Sequence, residues 1–234
     1  MKTPIDPKLL KSVAQMITQS GPYRRMRFRS STNAEDAHGF SGAGLYDSKT
    51  GILFSTEKPI DRAIKKVWAS LWNYHAFMER EYFNIEHSNV YMGILAHRSF
   101  PSEHVNGVAI TKNLYRYGYF GFIVNAQIGN ENVVKPKPGV ICDQIVCYPN
   151  TLNNMYDEHH TIEIITTSNL NNGNLVMSPE EIYNLANQLN VIKKHFFYTP
   201  YRGGEYLHFG MDVEFKIDGD HRELYIKQAR PFND

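Results

Sequence analysis

MDVEFKIDGDHRELYIKQARPF, Met211 to Phe232, is the stretch from which the rest of the chain is best read. Two strand-like runs, MDVEFKI and ELYIKQA, flank the turn sequence DGDH, which makes this an antiparallel hairpin. Alternation along the first run puts Asp212 and Glu214 on one face and Val213 and Phe215 on the other. On the second run Gln228 and Arg230 share a face, provided that Ile226 and Ala229 point mainly to the core. The hairpin would then gather two carboxylates, an amide oxygen and a guanidinium in one small area. Oxygen ligands of this kind suit Mg2+, and an arginine suits the phosphates that share it. The same residues also fit a solvent-facing hairpin with a routine Glu–Arg cross-strand pair.

Upstream, helices and strands mix without regular alternation. Leu9, Leu10, Val13, Met16 and Ile17 recur at helical spacing between Asp6 and about Ser20, with Pro7 in the first turn and Gly21-Pro22 as the stop. MRFRSS alternates as a short strand, and ILFS follows a turn at Asp47–Gly51. Thr56 to about Ile85 is the longest helical pattern, with Ile60, Ile64, Val67, Trp68, Leu71, Trp72 and Phe77 in one broad apolar stripe. Both tryptophans are therefore expected in the core. Val90–Ala96, Gly107–Thr111, YFGFIVNAQI and a run around Asp143–Tyr148 read as strands. Thr161–Thr167 and Asn174–Met177 bracket LNNGN, which reads as a second hairpin. Ser178, Pro179 and Glu181 spell a capping box for the helix EEIYNLANQLNVIKKHF. With no internal repeat, linker or βαβ alternation, an α+β domain is favoured over a doubly wound sheet.

Composition narrows the function classes. A net charge of +1 and a pI near 7.8 give no basic field that would argue for nucleic acid. The spacing of Cys142 and Cys147, the two cysteines, matches no common zinc pattern, so they read as reduced thiols on or beside a strand. No apolar run approaches the roughly 20 residues of a membrane span, and the N-terminus lacks a secretory apolar stretch. A soluble cytoplasmic protein is the expectation.

RFRSSTNAEDAHGFSGAGLYDS, Arg27 to Ser48, places Arg29 at a strand end, followed by the hydroxyls of Ser30 and Ser31 and then by Gly39, Gly42 and Gly44. An arginine fork can hold phosphate oxygens, and glycines let backbone N–H groups approach an anion. Taken alone the loop is neither GxxxxGK[ST] nor GxGxxG, and a solvated turn with Arg29 paired to Glu35 or Asp36 explains it as well.

The two segments together resemble the nucleotide-binding domain of the pyruvate phosphate dikinase and phosphoenolpyruvate synthase family. RSSTNAED followed by GFSGAGLYDS matches one motif of that domain, and DVEF followed by QARP matches another at its end. The resemblance runs from about Arg27 to Pro231 and implies an ATP-grasp-like mixed or antiparallel sheet flanked by helices. It implies ATP and Mg2+ as cofactors. Arg29, with Ser30 beside it, falls on the phosphate-contacting arginine, Gly42 on a backbone phosphate contact, and Leu45 or Tyr46 on a hydroxyl position near the phosphates. Glu214 and Gln228 fall on the Mg2+-associated residues, Asp212 supports the metal, and Arg230 contacts phosphate. Arg29 and Arg230 would thus carry the catalytic charge stabilisation. NVYMGILAHRSF places His97 and Arg98 toward the adenine. NGVAIT has Asn106 where the family has Ser, and NAQIGNENVV has Asn130 after Gly129 with Glu131 as its acid.

The resemblance also implies parts this stretch lacks. Only a helix, residues 1–20, precedes the matching domain at 21–234, so the lid subdomain is expected to be absent. The family moves a phosphoryl group from ATP to a histidine in a separate domain and on to pyruvate or another acceptor. No carrier-histidine sequence occurs here, and His159-His160 in YDEHH read as solvated loop residues. A carrier-histidine domain and a phosphoenolpyruvate/pyruvate domain are the expected partners, in the same or a partner chain, with neither nucleic acid nor membrane involved. By itself the stretch is expected to bind adenine nucleotide weakly and to run no complete cycle. A nucleotide-sensing or interaction module, and a purely structural α+β domain, are the competing readings.

Overall fold

The computed structural model describes residues 3–34, 42, 44–129, 131–148, 161–198 and 204–232, in two compact units, Met1–Ser99 and Phe100–Asp234. Both mix helices with antiparallel sheet, so the α+β reading holds. Glu35, Asp36, Asn130 and the YDEHH segment lie outside the described residues.

In the first unit, α1 (Pro7–Gln19) starts at Asp6, whose side chain accepts from Lys8 N–H, with Pro7 in the first turn. Three strands follow the order β2 (Lys49–Ile52), β1 (Arg25–Thr32), β3 (Met92–Arg98), all antiparallel. Met26 and Phe28 alternate inward from β1 and pack with Ile5, Ile17, Leu53, Ala63, Ile64 and Val67. The long helical pattern breaks into α2 (Ile60–Ser70) and α3 (Tyr74–Tyr82). Ser70 Oγ bonds back to the Val67 carbonyl at 2.6 Å, Leu71, Trp72 and Asn73 make i→i−3 bonds, and Asn73 then adopts an extended conformation. That break changes the phase of the apolar stripe. Trp68 and Trp72 are 37% and 57% exposed, so the core role expected for them fails.

The second unit is a six-stranded antiparallel sheet in the order β7 (Thr161–Thr166), β6 (Asp143–Tyr148), β5 (Phe122–Ile128), β4 (Glu103–Ile110), β8 (Met211–Asp218), β9 (Glu223–Pro231). One face packs on α4 (Pro179–Phe197), which buries Ile182, Leu185, Ala186 and Leu189 against Val105, Ala109, Val124, Ile145, Val213 and Phe215. The Ser178–Glu181 capping box is present in full. Gly107 lies opposite Phe215, and a Cβ there would fall 2.1 Å from Phe215 Cζ, so the ring occupies the space a side chain would need. Asn174–Met177 forms no strand. Asn171 Nδ2 donates to the Asn174 and Leu175 carbonyls, and the buried Asp143 carboxylate accepts from Ser168 N–H and Val176 N–H, both at 2.7 Å. These bonds hold the segment as a loop where a hairpin was expected. Burial pushes the Asp143 carboxyl up, and those two N–H bonds oppose the shift.

Candidate functional site

The final hairpin brings the C-terminal residues together. Asp212 lies opposite Arg230 and Glu214 opposite Gln228, on the face turned away from α4. Arg230 Nε and one terminal N–H both donate to Asp212 Oδ2, at 2.9 and 2.8 Å. The sequence holds a parity conflict here: Ile226 and Ala229 are three residues apart, yet both pack on the core. A β-bulge resolves it. Glu214 pairs with Gln228 and Phe215 with Ile226, leaving Lys227 as the extra residue. The extra residue between Glu214 and Gln228 therefore sits in β9 and not in the DGDH turn. Lys227 Nζ reaches Glu214 Oε2 at 3.1 Å, a contact the sequence did not signal.

In the first unit, Arg27, Arg29 and His97 share the sheet face opposite the Met26–Phe28 core, with Arg27 opposite His97 and Arg29 opposite Leu95. Burial, followed by the neighbouring Arg29 charge, pulls the Arg27 guanidinium below its ordinary range. The Asp47 carboxylate opposes that shift. Ser30 alternates to the other face, opposite Ile94. His97 Nδ1 lies 2.6 Å from the Arg98 carbonyl, and Arg98 stacks on the Tyr23 ring at 4.9 Å while donating to its hydroxyl. Gly42 is buried, and its carbonyl accepts from Leu45 N–H at 3.1 Å. The Tyr46 hydroxyl turns inward, donating to the Ala34 carbonyl at 3.4 Å and accepting from Arg80 at 3.3 Å.

The residues that flank the site are held by side chains the motifs did not name. Asn106 Nδ2 holds the Glu131 carbonyl at 2.9 Å, and the Glu131 carboxylate pairs with Lys137 at 2.8 Å. Charge separates between the units: the first has 14 Lys and Arg against 9 Asp and Glu, the second 11 against 15. The arginine pair thus sits in a basic unit and the carboxylate pair in an acidic one. Among the described residues no three His, Cys, Asp or Glu side chains form a metal cage, and no helix is long and apolar enough to cross a membrane.

A family model described as the pyruvate phosphate dikinase AMP/ATP-binding domain matches residues 1–234. The chain belongs to this family. It is 26% identical over 220 residues to a probable phosphoenolpyruvate synthase of Pyrococcus horikoshii, covering 87% of this chain and 25% of that protein. Against the phosphoenolpyruvate synthase of Deinococcus radiodurans it is 25% identical over 237 residues, covering 94% and 29%. Rifampicin phosphotransferase of Bacillus subtilis is 33% identical over 112 residues, covering 47% of the chain and 12% of that protein. The chain spans about a quarter of the length of the phosphoenolpyruvate synthases it matches. For a pyruvate phosphate dikinase nucleotide domain, the motif residues were the legible part. Lys227 and Arg80 were not, because each matters through a neighbour in another part of the fold, and Arg27 was not, because its burial beside Arg29 shows only in the folded sheet.

Proposed function

We propose that this chain is the ATP- and Mg2+-gripping part of a dikinase-type phosphotransferase, built on an ATP-grasp-like scaffold. The observation that carries the reading is the register of the last hairpin, with Asp212 opposite Arg230 and Glu214 opposite Gln228 on the open face. Arg230, oriented by Asp212, would take phosphate oxygens. Within the first unit, Arg29, assisted by Arg27 and the Gly42 backbone, would take phosphate charge, with His97 toward the adenine; Ser30, on the opposite face of the sheet, drops out of that set. Phosphoryl transfer needs mainly positioning and neutralisation of charge, and these groups offer both.

Glu214 and Gln228 would hold Mg2+. One carboxylate and one amide oxygen fit an ion that arrives with phosphate and keeps several waters, and they do not fit a resident metal cage. Bound there, the ion supplies neutralisation of the phosphates. Lys227, whose Nζ reaches Glu214 Oε2 at 3.1 Å, would balance the charge of that carboxylate. Transfer to a carrier histidine, and from it to pyruvate or another acceptor, would fall to a carrier-histidine domain and a phosphoenolpyruvate/pyruvate domain in the same or a partner chain.

Calorimetric titration of the 234-residue chain with ATP and Mg2+ tests the reading. Weak, Mg2+-dependent binding is expected, lost in Arg230→Ala and in Arg29→Ala while the circular dichroism spectrum stays unchanged. ATP binding that survives both substitutions would rule out the grip described.

A further inference from the structure

Arg80 is fully buried in α3, at 0% exposure, and among the described residues no carboxylate pairs with it. Its guanidinium is shared among neutral acceptors. One N–H donates to the Leu71 carbonyl at 2.7 Å, Nε donates to His87 Nδ1 at 3.1 Å, and another N–H donates to the Tyr46 hydroxyl at 3.3 Å. The cation also lies over the Trp72 ring at 5.7 Å. Because His87 Nδ1 accepts, its proton is on Nε2, which faces Glu81 Oε1 at 2.7 Å. Phe77 stacks on the same imidazole at 4.3 Å. A buried guanidinium is costly unless its donors are used, and here neutral acceptors take them.

What it holds is the pair of limbs flanking the glycine loop. The Tyr46 hydroxyl receives the Arg80 hydrogen bond and passes its own to the Ala34 carbonyl. Ala34 precedes and Tyr46 follows the glycine-rich stretch in the sequence, and Gly44, two residues before Tyr46, has φ +78°. Ala34 and Tyr46 also share a small core with Leu71 and Val90. Arg80, Tyr46 and Ala34 thus form a clasp between residues on either side of that stretch in the sequence.

We propose that Arg80 is a positioning residue for phosphate binding, acting through the Tyr46 hydroxyl to fix how the Gly42 limb is presented. This rests on the nucleotide-binding reading above and reassigns the Tyr46 hydroxyl from the phosphates to the clasp. The sequence could not show it, since Arg80 lies 34 residues from Tyr46 on an otherwise ordinary helix.

Dissociation constants of the full chain for ATP, AMP and adenosine, measured for the wild type, Tyr46→Phe and Arg80→Met, test the proposal. Tyr46→Phe removes a single hydroxyl and keeps the ring, so it remains informative if Arg80→Met fails to fold. One lost hydrogen bond corresponds to roughly 3- to 10-fold in affinity. Tyr46→Phe should weaken ATP by that factor and leave adenosine unchanged, and adding Arg80→Met should weaken ATP little further. Wild-type ATP affinity in Tyr46→Phe, or equal loss for all three ligands, overturns it. Loss of ATP binding in Arg29→Ala and Arg230→Ala alongside an unaffected Tyr46→Phe refutes the clasp alone, whereas unaffected binding in all of them refutes the nucleotide reading itself.

Discussion

Lys193 offers the sharpest quantitative test of the second unit. Its side chain is 1% exposed beneath the sheet, donates to the carbonyls of Thr111 and Phe209, and lies over the rings of Tyr206 at 4.8 Å and Phe120 at 5.6 Å. Thr111 N–H in turn donates to the carbonyl of Met211, the residue before Asp212, and Thr111 Oγ1 accepts from Met211 N–H, so this ammonium pins the start of the strand that carries the site. Burial, with a smaller push from Lys112, brings its pKa from 10.5 down to about 8. The unfolded chain therefore binds more protons than the folded one between those two values. The cost of burying the charge is fully present below pH 8 and is relieved as pH rises toward 10.5. Linkage gives about 2 kcal/mol of relief between pH 7 and pH 9.5, and residual solvent screening trims that to about 1 to 2 kcal/mol. Urea denaturation of the wild type and of Lys193→Met at both pH values isolates the term, since all other titrating groups are common to both. The wild type should gain that amount relative to the variant on going to pH 9.5. Parallel pH dependence in the two proteins would refute the assignment of a strained buried charge to Lys193.

Two further outcomes follow from the packing. Gly107→Ala pushes a methyl into the Phe215 ring and should destabilise the chain by about 1 to 3 kcal/mol, seen as a lower denaturation midpoint. Restoration of the midpoint in Gly107→Ala/Phe215→Leu would confirm the source, and an unchanged midpoint in the single variant would contradict it. Burial pushes the Cys147 thiol up to about 12 and raises Cys142 as well, so a thiol reagent at pH 8 should label neither until the chain is unfolded. Rapid labelling of the native protein would show that β6 is not packed as described.

How much was legible in advance differs between the two units. In the second, period-two alternation placed Asp212 and Glu214 opposite Val213 and Phe215, and the sheet confirms that division because one face must meet α4. In the first, the helical stripe from Ile60 to Phe77 was read as continuous. Hydrophobic spacing alone does not register that Ser70 returns its hydroxyl to Val67 and that Asn73 goes extended, a break that leaves Trp72 exposed, while Trp68 lies off the buried Ala63–Ile64–Val67 face of α2.

By itself the sequence determined the α+β class, the capped helix after Ser178 and the two motifs, since each depends on neighbours within a few positions of one another or on residue order. Only the tertiary structure decided that a bulge at Lys227 turns Gln228 and Arg230 to the face of the two carboxylates. It alone showed that Arg27 crowds Arg29, and that Arg80 reaches Tyr46. The bulge and the Arg80–Tyr46 bond join residues distant in sequence, and their geometry is set by which side chains the cores must bury first.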